Sequence, residues 1–231
     1  MAQISLKMYI GLILLIFVII PFIALIFGVL ILIPANDLNW MEGLLFIFVF
    51  NILLFLYYLY FLITDPQTIL NRSKQTSEVK NVLFSCVLLI LFLLVMIIPG
   101  LERQLNDMSS ALPFTIEIFG FIGIIVGFFI VFLANRENTY ASKGLRIHEG
   151  HQVIKTGPYA HIRHPMYAGF FIMFLGIPIS LGSVISILPA ILMIIAVLIR
   201  IRWEEDLLLK ELDGYLEYTK QVKYKIIPRI Y

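Results

Sequence analysis

"MYIGLILLIFVIIPFIALIFGVLILI" (residues 8–33) is a 26-residue stretch without a charge, lying directly after Lys7. A helix needs about 20 apolar residues to cross a bilayer, so this run is long enough to span. The apolar core of a secretory leader is shorter, about 7–15 residues, and ends at a small-residue cleavage site. The following "IPAND" has no such pattern. The run is expected to be a retained first helix, kinked at Pro21.

The rest of the chain has the same character. Of its 231 residues, 61% are hydrophobic and 14% charged, against about 45–50% apolar and about 25% charged in soluble domains. Further apolar runs occupy residues 43–63, 82–98, 114–134, 167–181 and 183–199. The fifth of the six is short for a span, and Gly182 nearly joins it to the sixth. The reading is an all-α, polytopic membrane protein of five to six spans. The last two form a tight hairpin that crosses partly or with tilt, bent at Pro178 and Pro189. Residues 1–134 are expected to supply N-terminal spans. Residues 135–231 would hold a binding loop, the hairpin and a cytoplasmic tail.

Positive charge orients such a bundle. With the N-terminus in the cytoplasm and loops assigned alternately, Arg103 is the one Lys or Arg outside, so 16 of the 17 are inside. Trp40, in the outer loop, is expected at interfacial depth. Gly120, Gly123 and Gly127 share one face of the fourth span, a close-packing seam between helices. Glu117 suits the N-terminal end of that helix. After the last span, Leu207, Leu208, Leu212, Tyr215 and Tyr218 alternate with charge. They form an amphipathic helix interrupted at Asp213-Gly214, whose simplest role is interfacial anchoring.

Several chemistries are excluded or find no support. Cys86 is the single cysteine and lies in an apolar run, so neither an internal disulfide nor a cysteine zinc site can form. The four histidines show no metal-ligand spacing, and no metal is expected. No basic block suggests nucleic acid.

Dense polarity falls in two cytoplasmic places. Residues 135–167 contain most of "GPYAHIRHPMYAGF" (residues 157–170), where Tyr159, His161, Arg163, His164 and Tyr167 crowd together and Gly157-Pro158 and His164-Pro165 each restrict the backbone locally. A loop of this length is expected to work rather than merely connect, here as an ordered lid across the bundle end. His161 and His164 taken singly suit ordinary interfacial polarity. The density of Tyr, His, Arg and Gly favours a ligand pocket equally. The second place is "RIRWEED" (residues 200–206), where Arg200 and Glu204 share a helix face and Arg202 can reach Glu205 or Asp206. These side chains could form a surface ion-pair ladder or face a cavity.

Together, "GPYAHIRHPMYAG", a hydrophobic hairpin and "RIRWEEDLLLKELDGYLEYTKQVKYKIIP" resemble the isoprenylcysteine carboxyl methyltransferase family, whose wider group includes phospholipid N-methyltransferases. The resemblance covers about residues 135–228. It extends loosely to "PANDLNWMEG" and "TDPQTILNR", which look like those of prokaryotic members. It implies S-adenosylmethionine as cofactor. His151, Gln152, Val153 and Ile154 would line the cofactor pocket, with Tyr159 packed on the cofactor. His164, Pro165, Met166 and Tyr167 would form the other wall. Glu204 would face the charged methionine portion, and Arg200 would meet the acceptor. The segment before His151 differs in length from eukaryotic members, so no role is carried over to Arg146.

The implied activity is methyl transfer to a membrane-embedded lipidic or lipidated acceptor, carboxylate preferred, on the cytoplasmic side. An amine-bearing phospholipid is the nearest alternative, and it would give a base such as His164 or Glu205 a role. A nicotinamide-dependent lipid double-bond reductase and a non-catalytic membrane scaffold binding anionic lipid are more distant ones.

Overall fold

The computed structural model describes residues 6–73, 82–106, 111–138 and 152–227, with side chains over 6–69 in the first of these. The described residues form eight α-helices and no strand: α1 (Leu6–Ala35), α2 (Met41–Thr64), α3 (Pro66–Ser73), α4 (Val82–Leu105), α5 (Phe114–Glu137), α6 (Pro165–Ser180), α7 (Ile187–Glu211) and α8 (Tyr215–Gln221). A 3-10 turn, Gly157–Ala160, precedes α6. The protein is all-α, as expected.

Four helices, α1, α2, α4 and α5, are long and apolar enough to cross a membrane, and α6 is a shorter apolar helix. Large apolar side chains such as Phe17, Phe48, Leu83 and Phe119 point outward. Hydrocarbon solvent makes that arrangement stable where water would not. Cys86 is among these outward residues.

Close backbone contact sets the bundle. Helices α5 and α6 pair most extensively. A Cβ built on Gly169 would lie 2.5 Å from the Gly127 carbonyl oxygen, and one on Gly176 would lie 2.8 Å from that of Gly120. The expected seam on α5 therefore exists, and its partner is a second glycine row on α6. Gly123 stands further off, its Cβ position 3.6 Å from the Gly176 Cα.

One end of the bundle is closed by polar contacts. Glu102, buried near the end of α4, accepts hydrogen bonds from the Ser183 hydroxyl and from the Val184 and Ile185 amides, and so caps the turn into α7. The Ser186 hydroxyl donates to the Val95 carbonyl over 3.0 Å. Arg103 bonds Asp37 at 3.1 Å and lies over the Trp40 ring. The hairpin thus turns where α4 ends, as expected.

Trp40 is 1% exposed, beneath Arg103 and against Gly43, whose missing Cβ leaves room for the indole. Two local expectations change. Pro189 does not kink a span: it is the third residue of α7, where an amide has no intrahelical partner to lose. Helix α7 also continues well past residue 199, because the ion pairs described below support its polar end. The break at Asp213-Gly214 holds, with Gly214 at φ +80° between α7 and α8.

The N-terminal end of α1, the α2–α3 junction and the C-terminal end of α7 share the other bundle end. The charge bias predicts this end to be cytoplasmic. In a Cys86→Ala background, a cysteine at Asn106 is expected to react with an impermeant thiol reagent added outside cells, and one at Ser73 is not. The opposite labelling would reverse the orientation.

Candidate active site

The site lies at this second end and is built from α6, α7, the loop before α6 and the tail after α8. Pro165 is the first residue of α6 and His164 its cap position. Proline suits that position because its missing amide hydrogen would have no partner there and its φ is already helical. The "RHPMY" stretch therefore changes the chain from loop to helix with Arg163 and His164 on one side of the junction and Tyr167 on the other.

Glu204 and Glu205 are neighbours on α7 and point to different partners. Glu204, half-buried, accepts a hydrogen bond from the Tyr167 hydroxyl at 2.7 Å. That hydroxyl accepts one from Arg200 Nε at 3.2 Å. The phenol thus links a guanidinium and a carboxylate one helical turn apart. The guanidinium also lies over the Phe84 ring, 5.7 Å from its centroid, and Phe84 meets Trp203 edge-on. Such a site offers a carboxylate to a cation and a planar donor to an anion, at the border of an apolar span.

Glu205 is buried and belongs to a second group. Arg163 grips it with two hydrogen bonds, Nε to Oε1 at 2.7 Å and Nη2 to Oε2 at 2.8 Å. His164 Nε2 and the Tyr215 hydroxyl reach Oε1 at 3.0 Å each, and Lys225 Nζ lies 3.1 Å from Oε2. Burial opposes ionisation of Glu205, but the hydrogen bonds and charges of His164 and Arg163 outweigh it and hold the carboxyl well below the usual range. Burial and then the charge of Glu205 push the Tyr215 hydroxyl well above its ordinary value. Glu205 is thus an anion fixed among donors, and Arg202 does not hold it. A carboxylate held by so many donors is a poor proton acceptor near neutral pH.

The remaining expected residues fall around these two groups. Tyr159 is buried; its carbonyl accepts from the Tyr218 hydroxyl at 2.7 Å and its own hydroxyl from Asn138 Nδ2 at 3.4 Å. Val153 is half-buried against Leu212, Tyr215, Tyr218 and Val222, Ile154 is half-buried, and Gln152 is exposed. Met166 packs with Tyr167 and Val197, while Pro165 is buried. His164 has its Nε2 on Glu205, with its ring tilted against Tyr167 at 5.8 Å between centroids. His151, Arg146 and the part of the expected lid over residues 139–151 lie outside the described residues.

Sequence reasoning gave no site role to Arg163, Tyr215 or Lys225, nor to Phe84 in the N-terminal half. A signal for Arg163 was present: two adjacent carboxylates at the end of an apolar helix call for cations nearby, and Arg163 stands beside His164 in the same motif.

Residues 115–213 match the family model described as phospholipid methyltransferase. That family groups isoprenylcysteine carboxyl methyltransferases with phospholipid N-methyltransferases. No curated protein matches the chain. The matched segment runs from α5 to the break before α8 and contains Tyr159, Arg163, His164, Tyr167, Arg200, Glu204 and Glu205.

Proposed function

We propose that the protein moves a methyl group from S-adenosylmethionine to a carboxylate-bearing lipidic acceptor held at the membrane border, a reading supported by the match of residues 115–213 to the family model described as phospholipid methyltransferase. The observation that carries this reading is the linked trio of Tyr167, Glu204 and Arg200. The cofactor presents an ammonium and a sulfonium, and Glu204 is a half-buried carboxylate suited to a cation. When bound, it supplies an electrophilic methyl.

The chain's own part is positional. Gln152, Val153, Ile154 and Tyr159 would form one wall of the cofactor site, with His151 beside them. His164, Pro165, Met166 and Tyr167 would form the other. Arg200 would hold the acceptor carboxylate with two parallel hydrogen bonds. That carboxylate is already ionised near neutral pH, so the reaction needs alignment more than a base. In this division residues 1–134 support and residues 135–231 react, with the site on the cytoplasmic face.

The test is equilibrium binding of S-adenosylhomocysteine to purified protein, with NADPH as comparison. Wild type is expected to bind S-adenosylhomocysteine and not NADPH. Glu204→Gln is expected to weaken it by about 1.5–3 kcal/mol, the worth of a charge-assisted contact, or roughly ten- to a hundredfold. Equal affinity in the two proteins would remove Glu204 from the cofactor site, and NADPH binding would favour the reductase reading.

One observation favours a second acceptor class. The matching family model is described by its phospholipid members, and an amine headgroup would be methylated on nitrogen. His164, considered above as the base for that case, has its Nε2 on Glu205.

A further inference from the structure

We infer that residues 222–226 are a strap that positions the cluster of Tyr167, Glu204 and Arg200, and that Arg163 and Glu205 are its latch. The inference rests on the reading of that cluster as the reacting site, and it concerns a segment beyond the family match, which ends at residue 213.

The strap is joined to the loop before α6 by backbone and side chain together. The Arg163 amide donates to the Tyr224 carbonyl at 3.0 Å and the His164 amide to the Lys225 carbonyl at 2.8 Å. Arg163 Nη1 donates to the carbonyls of Val222 at 2.9 Å and Lys223 at 3.0 Å. The other edge of the same guanidinium holds Glu205. One planar side chain therefore ties the strap to α7, a double role that its fork geometry permits and an ammonium cannot fill. Lys225, on the strap, adds its own contact to Glu205.

The latch touches the cluster through short covalent paths. Glu205 follows Glu204 directly. His164, bonded to Glu205, stands one helical turn before Tyr167, and the Ala168 amide donates to the His164 carbonyl at 3.2 Å. Fixing Glu205 against His164 fixes the separation of α6 and α7 where the Tyr167 hydroxyl must reach Glu204. The strap also packs under the cluster: Ile226, 3% exposed, joins Tyr167, Val197 and Ile201 in one apolar group. Glu205 and Arg163 act on the cluster through His164 and α7, so they are positioning residues.

The test combines amide hydrogen exchange with turnover per folded molecule, using full-length protein in lipid nanodiscs. The variants are Glu205→Gln, Arg163→Lys and Ile226→Ala. In Glu205→Gln the amides of Arg163, His164 and Ala168 are expected to exchange at least tenfold faster, while those of α1 and α2 keep their protection. Turnover should fall at least tenfold. Arg163→Lys should fall between wild type and Glu205→Gln in both readouts, because charge is kept and the fork is lost. Ile226→Ala, which leaves every ion pair in place, should lower turnover severalfold, and it serves where Glu205→Gln fails to fold. Unchanged turnover per folded molecule in Ile226→Ala and Arg163→Lys, with faster exchange at the three amides, would reduce the strap to a stabilising element and overturn the inference. So would unchanged exchange. If wild type binds no S-adenosylhomocysteine, the methyltransferase reading of the cluster fails instead, and the exchange at Ala168 still decides whether the strap holds the start of α6.

Discussion

Arg200→Ala is expected to lose methyl transfer almost completely, with little change in cofactor affinity. Removing one partner of a desolvated charged contact costs about 2–5 kcal/mol, which is roughly thirty- to several-thousandfold in rate. Arg200 is half-buried, bonded to Tyr167 and laid over Phe84, so its guanidinium is already oriented. Lysine would keep the charge without the planar fork, and Arg200→Lys is expected to be slow but active. A methyl ester is neutral, so the attraction to Arg200 falls once the methyl has moved and the product leaves. The sign reverses for an amine acceptor, whose protonated form the guanidinium repels. The two cases separate chemically, since mild base releases methanol from esters and not from methylamines. A base-stable product together with an active Arg200→Ala would overturn the carboxylate reading and leave the amine reading.

The second large effect is on folding. Gly169→Ala is expected to destabilise the protein by about 1–3 kcal/mol, the cost of overpacking a filled interior, and Gly169→Val by more. The new methyl would meet the Gly127 carbonyl, which no rotamer change can move aside. Since Gly169 is two residues from Tyr167, the displaced start of α6 should also lower turnover of the folded fraction. Gly123→Ala is the control on the same seam: its neighbours stand at ordinary van der Waals distance, and it should be nearly neutral. Thermal unfolding in detergent checks the series. Equal losses at positions 169 and 123 would contradict the close approach of α5 and α6.

Gly120, Gly123 and Gly127 of α5 show what the sequence could convey: the first and last meet the backbone of α6 and the middle one stands off. Their spacing marks a helix face, and a face of small residues in an apolar span implies close packing. The spacing cannot say which glycine meets a backbone, because that depends on the crossing of α6. The spans were legible for a similar reason, since a bilayer demands long apolar runs. The Gly214 break was legible because glycine readily adopts positive φ. Arg163 and Glu205 are a different case. They are 42 residues apart, beyond any periodicity rule, and meet only because the hairpin returns α7 to the start of α6. The local i to i+3 or i+4 rule offered Arg202 to Glu205 or Asp206, and tertiary packing supplied Arg163, His164, Tyr215 and Lys225 to Glu205 instead. Phe84 beside Arg200 was hidden in the same way, inside an apolar run that reads as span and nothing more.

Transfer of a labelled methyl group by the purified protein tests the central claim most directly. The protein is reconstituted with total membrane lipid extract and S-adenosylmethionine labelled on its methyl group. Label should accumulate in the lipid phase in proportion to protein, be released as methanol by mild base, and fall at least tenfold with Glu204→Gln. A lipid phase that stays unlabelled with folded wild-type protein, across extracts containing both carboxylate- and amine-bearing lipids, would contradict the assignment of a methyltransferase to this site.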